Sequence, residues 1–236
     1  MKLRILILLV VLLLVSVTKT NGLQSYKLQN NEKPKTYIEK DCDRWKPLYL
    51  DIQPSNEVDS WKVPFATADR YKLNTIKLIS KFGDPRLTFL KNHIHPAIDI
   101  IPAKSEKYIM VYPAANGVVC SVHLGHPYKT LVIKHLLHDK SIIYTSYKHL
   151  QEIYVKNGMQ VNQDTKLGRL YTHAEAQNLK GNYDHLHFEV RKSFDDYGCA
   201  SWLTMTKEEL NKYFYNPLDF LKNNLGTKNI SPANKK

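Results

Sequence analysis

The chain has 236 residues, with 34 Lys and Arg against 22 Asp and Glu, a formal net charge of +12 and a pI near 9.4. That length suffices for one domain of ordinary size with a real core plus flanking segments. The basic balance points to anionic partners such as cell wall, acidic glycan or a membrane surface, and the scattered lysines form no nucleic-acid-binding module. Cys42, Cys120 and Cys199 are odd in number, which excludes a framework in which every cysteine pairs within the chain.

Residues 1–22 begin with Lys2 and Arg4, continue as an apolar run to Val17 and turn polar at Thr18. The run is short for a membrane span and has the basic start of a secretory signal peptide, so the mature protein is expected to be exported, to the periplasm or cell wall. An uncleaved anchor is the alternative, because the small-residue cleavage pattern is poor; the protein meets the membrane only in that case. Residues 23–70 read as a polar linker and strap. The first part, to about Trp45, is rich in Lys, Asn, Gln and Glu and is expected to be an extended arm. The stretch 47–65, with Trp61 and several prolines, is expected to lie on the surface of a domain spanning 71–222.

Within that domain, 73–82 is apolar enough for a strand, and Phe82-Gly83-Asp84-Pro85-Arg86 carries turn signals. Ile98, Asp99 and Ile100 alternate as a strand should. Asn116-Gly117 between apolar segments predicts a hairpin. Residues 130–134 and 141–147 are β-rich, and 155–161 and 165–170 look like short strands. Many short strands with no helical period between them predict a mainly β fold, an antiparallel sandwich or open barrel. Thr206 with Glu209 fits a capping box, predicting a short C-terminal helix from Lys207 to about Tyr213 that stops before Asn216-Pro217 and covers one end of the sheet. Residues 223–236 are expected to be a disordered tail, and Cys120 with Cys199 is the candidate disulfide.

The chemistry concentrates in Asp184-His185-Leu186-His187-Phe188-Glu189-Val190. On a strand, His185, His187 and Glu189 share one face while Leu186, Phe188 and Val190 share the other. One face is pinned into a core, and the other offers two imidazoles to a divalent cation. Its partners are sought in Asn92-His93-Ile94-His95-Pro96-Ala97-Ile98-Asp99. In an extended chain His95 and Asp99 would stand about 13 Å apart, so both reach one ion only if the chain bends, and Pro96 supplies the bend. His93 is a rival ligand.

In this order, His95-Pro96-Ala97-Ile98-Asp99, Tyr147-Lys148-His149-Leu150 and His185-Leu186-His187-Phe188-Glu189-Val190 resemble the lysostaphin/LytM-type zinc metalloendopeptidases of bacterial cell walls. The resemblance runs from about Leu73 to Leu221 and takes in Phe82-Gly83-Asp84-Pro85-Arg86, Ala115-Asn116-Gly117-Val118-Val119, Asn157-Gly158, Leu167-Gly168 and Asn216-Pro217-Leu218. It implies a zinc-binding groove with His95, Asp99 and His187 as zinc ligands, His149 and His185 as an unliganded catalytic pair, and Glu189 in a supporting role. It implies hydrolysis of peptide bonds in peptidoglycan stem peptides or cross-bridges, with Zn2+ as the cofactor; a monomer is expected.

The chain departs from the family pattern at Ala97, where Gly is common, and in 171–183, which replaces a Gly-rich loop and puts substrate specificity in doubt. His123, His126, His135, His138 and His173 are expected at the surface or in packing, with His173 bordering the cleft. The alternatives are a catalytically silent wall-binding or hydrolase-regulating domain of the same fold, and a secreted module whose zinc is closed by a fourth ligand, His93 or Glu189. The N-terminal arm could also hold the enzyme latent.

Overall fold

The computed structural model describes residues 48–86, 93–104, 106–125, 127–193 and 206–228. The leader and arm, Cys199, His126 and the end of the tail lie outside the described residues.

Among the described residues fourteen strands follow in chain order: β1 Leu48–Tyr49, β2 Ile76–Ser80, β3 Pro85–Arg86, β4 His93–Ile94, β5 Ile98–Pro102, β6 Met110–Val111, β7 Gly117–His123, β8 Thr130–Leu136, β9 Ile142–Lys148, β10 Leu150–Ile153, β11 Gln160–Val161, β12 Gly168–Leu170, β13 Leu186–Arg191 and β14 Phe214–Tyr215. Three helices join them among the described residues: α1 His173–Asn178, α2 Lys207–Tyr213 and α3 Pro217–Asn224. The large sheet runs β1-β7-β8-β9-β13-β5-β2, with β11 also on β7 and β14 also on β13. A second sheet runs β10-β12-β6, and β3 pairs with β4 alone. Paired strands are antiparallel throughout and no sheet closes into a barrel among the described residues, so the fold is mainly β, as the strand spacing predicts.

The histidine strand β13 lies inside the large sheet, between β9 and β5. Its alternation explains the placement. Leu186, Phe188 and Val190 are fully buried and join Ile98, Ile100, Leu131, Ile133 and Tyr147 from neighbouring strands in one apolar cluster. Leu150, Leu170 and Val111 of the second sheet enter the same cluster, so the two sheets share a core. The opposite face of the large sheet is polar yet also buried, with Ser146, Glu189, Arg191, Lys134 and Lys148 along it.

Several local expectations are corrected. The segment 73–82 opens with a 3-10 turn, Leu73–Thr75, before β2 begins. Asn116-Gly117 makes no hairpin: β7 starts at Gly117 and pairs with β1, β8 and β11, while β6 pairs with β12. Glycine stands there for want of space, since a Cβ would sit 2.4 Å from the Lys134 carbonyl oxygen and 2.9 Å from His135 Nδ1. The stretch 171–183 contains α1, begun by Thr172 and Glu175 in a capping box of the kind also found at Thr206 and Glu209 of α2. Past α2 the chain does not fray at residue 223: Asn216 caps α3, Pro217 opens it, and Phe220, Leu221 and Asn224 are buried.

The strap is no surface cover. Val58, Trp61 and Phe65 belong to the main apolar cluster, and Trp61 packs edge-on against Phe220, 4.7 Å between ring centroids. The Trp61 carbonyl also accepts from Gly226 N at 2.9 Å, tying this stretch to the turn after α3. Cys120 is a buried free thiol that donates to the Val132 carbonyl at 3.5 Å, and burial pushes its pKa up to about 12.

Candidate metal centre

Strand register sets the centre. Asp99 of β5 and Lys148 of β9 both stand opposite His187 of β13, so the three side chains share the polar face of the large sheet. His95 reaches that face from the loop between β4 and β5, and the 82–86 turn holds it there. Gly83, at φ +84°, donates its N–H to the His95 carbonyl at 2.8 Å, and His95 N–H donates to the Asp84 carbonyl at 2.9 Å. The Asp84 carboxylate closes the turn by accepting from Lys81 N at 2.7 Å.

The candidate ligand atoms then converge. His95 Nε2 lies 3.0 Å from His187 Nδ1 and 3.1 Å from Asp99 Oδ1, and His187 Nδ1 lies 3.2 Å from the same oxygen. The outer hydrogen bonds decide where the protons are. His95 Nδ1 faces the Lys81 carbonyl at 2.8 Å, an oxygen that only accepts, so Nδ1 carries the hydrogen and Nε2 a lone pair. Burial depresses the His95 pKa to about 4, which keeps the ring neutral. His187 Nε2 likewise donates to Glu189 Oε1 at 2.7 Å, which turns Nδ1 toward the centre.

Asp99 Oδ2 accepts from Arg86 Nη2 at 2.6 Å, whereas Oδ1 is buried with no hydrogen bond. Burial opposes the Asp99 charge, and the Arg86 guanidinium at 2.6 Å favours it. Two imidazole nitrogens and a carboxylate oxygen therefore face one another in a buried space. Such a set is satisfied by a cation. Two imidazole nitrogens and one carboxylate oxygen form a donor set that zinc accepts, with a position left for water.

The support behind His187 is itself fixed. Glu189 is fully buried; burial raises its pKa, but the Arg191 charge and the His187 hydrogen bond bring it well below the usual range. Arg191 Nε donates to Glu189 Oε2 at 2.6 Å, and its Nη2 reaches the same carboxylate. A carboxylate behind a ligating histidine orients the ring and raises its basicity.

His149 and His185 stand beside the three. Their ring centroids are 5.0 Å apart, His149 is 6.0 Å from His187, and His185 Nε2 is 3.5 Å from Asp99 Oδ1. His149 has φ +68°, a left-handed conformation that a branched-free ring residue adopts only at a cost of order 1 kcal/mol. Its Nδ1 donates to the Pro127 carbonyl at 3.1 Å, so Nε2 is the free nitrogen. Burial, then the charges of His185, His187 and Lys148, lowers the His149 pKa well below its ordinary value, and the ring is a neutral proton acceptor.

The five residues singled out by sequence are thus neighbours, and Glu189 touches His187 rather than the centre. His93 lies outside the converging set, buried with Nδ1 unpartnered. His173 is exposed on α1 and pairs with Asp184 at 2.8 Å. His135 is fully buried, between the Asn116 carbonyl at 2.9 Å and Thr145 Oγ1 at 2.7 Å; His123 is buried and His138 exposed. The sequence reading had no role for the Lys81 carbonyl or for Arg86. Arg86 sits in the quoted turn motif, and its odd charge there was the signal.

Residues 93–199, which contain all five positions, match the model described as peptidase family M23. The match falls on the same segment as the three motifs. No curated protein matches the sequence. Among solved structures, a zinc-containing peptidase from Vibrio cholerae is similar at 25% identity and a TM-score of 0.39, covering 56% of this chain and 37% of that one. Lysostaphin from Staphylococcus simulans is similar at 16% identity and 0.47, covering 71% and 55%. The SpoIIQ–SpoIIIAH pore-forming complex is similar at 18% identity and 0.43, covering 75% and 98%. This chain thus spans little more than a third of the Vibrio cholerae peptidase.

Proposed function

We propose that the chain is an exported zinc metalloendopeptidase that hydrolyses peptide bonds in the stem peptides or cross-bridges of peptidoglycan. The observation that carries this reading is the convergence of His95 Nε2, His187 Nδ1 and Asp99 Oδ1, next to two further imidazoles. His95, Asp99 and His187 hold the ion, with Lys81, Arg86 and Glu189 fixing their orientation. Zinc, when bound, lowers the pKa of its water and polarises a carbonyl.

The remaining work belongs to the chain's own side chains. His149, its Nδ1 committed to Pro127, accepts the proton of the attacking water at Nε2 and returns it to the leaving amine. His185, partly open to solvent, donates to the oxygen on which negative charge develops. No covalent intermediate is required. The wall as substrate is supported by the M23 match and by the net charge of +12, which favours residence on an anionic polymer. The basic, apolar start of residues 1–22 supports export.

Mass spectrometry of products released from purified peptidoglycan, with and without a zinc chelator, tests the reading. New peptide termini that vanish on chelation are expected, and His187→Ala abolishes both zinc retention and cleavage. Hydrolysis that persists in that variant overturns it. Bound zinc without any product moves the protein to a wall-binding or regulatory role.

A further inference from the structure

The outer face of the β10-β12-β6 sheet has no part in the chemistry above. Glu152 of β10 and Met110 of β6 both stand opposite Arg169 of β12, so these three side chains share one side of the sheet. Leu150, Leu170 and Val111 point the other way, into the core. Tyr154, two positions after Glu152, and Tyr108, two before Met110, fall on the outer side and are 46% and 48% exposed.

Both rings are fixed in advance. Tyr154 donates its hydroxyl hydrogen to Glu152 Oε2 at 2.8 Å, and Glu152 Oε1 accepts from Arg169 Nε at 2.8 Å. The Arg169 guanidinium carbon lies 5.5 Å from the Tyr108 ring centroid, while its Nη1 and Nη2 donate to Glu175 at 2.8 and 2.9 Å. Contacts therefore run unbroken from Tyr108 through Arg169 and Glu152 to Tyr154, and rings held this way lose little freedom on binding. Lys107 Nζ lies 5.2 Å from the Tyr108 centroid, and Lys129 Nζ donates to the Gln151 carbonyl at 2.5 Å. Three cations then stand against the carboxylates of Glu152 and Glu175, which leaves the face close to neutral.

A ligand for this face offers apolar patches to the two rings and hydroxyl or amide groups to the ion pair between them. A pyranose chain does both, because its ring C–H groups lie flat on an aromatic face while its hydroxyls donate and accept. A polyanion finds Arg169 already committed to two carboxylates. Distance favours the same ligand. Tyr154 is five positions after His149, at most about 18 Å away, and a peptide of about five residues has the same reach. A peptide lying at the metal centre can thus stay attached to a sugar chain on this face.

We propose that the outer face of the second sheet binds a glycan chain of N-acetylhexosamine units, with Tyr108 and Tyr154 as its stacking residues. That this glycan is the one bearing the substrate peptide rests on the peptidase reading; sugar binding is tested apart from it. The zinc-loaded full chain is titrated by NMR with a β-1,4-linked N-acetylglucosamine hexamer and, separately, with inorganic polyphosphate. Hydrolysis of purified peptidoglycan is followed in parallel.

Tyr108→Ala and Tyr154→Ala are each expected to weaken hexamer binding about tenfold, and the double variant to lose it, while Tyr108→Phe stays within about threefold of wild type. Tyr108→Ala carries the test alone if loss of the Tyr154 hydroxyl disturbs folding. Hexamer affinity unchanged in both alanine variants overturns the proposal, as do equal losses in Tyr108→Phe and Tyr108→Ala, or wild-type preference for polyphosphate. Tyrosine-dependent hexamer binding without any hydrolysis removes the hydrolase reading and leaves this one standing; peptidoglycan hydrolysis by a wild type that does not bind the hexamer does the reverse.

Discussion

At the scale of single residues, proton placement matters more than proximity. His95 and His187 approach within hydrogen-bonding distance, yet each turns its other ring nitrogen to an acceptor, the Lys81 carbonyl and Glu189. Glu189→Gln keeps the shape and removes the charge. Zinc affinity is expected to fall 10- to 100-fold in a competition assay with a chromogenic chelator, the usual effect of losing a carboxylate behind a ligating histidine. The variant also leaves Arg191 buried without its counter-charge, which costs about 3–5 kcal/mol in chemical denaturation.

His135, remote from the centre, gives a pH signature of its own. Burial lowers its pKa from 6.5 to about 4. In the unfolded chain it takes up a proton as pH falls through 6.5, while the folded chain refuses it until about pH 4. Stability is therefore full above pH 6.5 and declines between 6.5 and 4, by about 3 kcal/mol for this residue. Denaturation of chelator-treated protein at pH 7 and pH 4.5 checks the direction. Equal midpoints at the two pH values would contradict it.

At the scale of elements, the three motifs were legible because a strand's period of two sorts side chains without help from the rest of the chain. Leu186, Phe188 and Val190 had to face a core, and His185, His187 and Glu189 then had to face away from it. Elements chosen by less local forces were not legible. Asn116-Gly117 carries a hairpin signal, but the residues on either side find partners in different sheets, and the glycine answers to crowding from β8. Gly117→Ala is expected to destabilise by about 1–3 kcal/mol in urea unfolding, through overpacking against a backbone carbonyl that cannot withdraw. A turn role would predict tolerance of Asn116→Ser with Gly117 kept. Helix α1 was missed for a different reason. Its capping box is present in the sequence, but six residues with one buried side chain display no apolar period to read.

At the scale of the molecule, the strap and the last helix close one core. Trp61 is fully buried between His135 and Phe220, with ring-centroid distances of 5.2 and 4.7 Å. Trp61→Ala is expected to cost about 3–5 kcal/mol by thermal or chemical unfolding, and a chain beginning at Tyr71 to lose cooperative unfolding. A surface strap would give less than about 0.5 kcal/mol for the same change.

The sequence by itself determined the mainly β class, the polar face of β13, the bend at Pro96 and the α2 cap, because each depends on neighbours within a few positions. Tertiary structure decided which strands lie on either side of β13 and which carbonyl takes the His95 proton. It also decided that Trp61 is core and that Tyr108 meets Arg169. Those outcomes depend on contacts between residues far apart in the chain, where register and space, rather than local preference, set the energy.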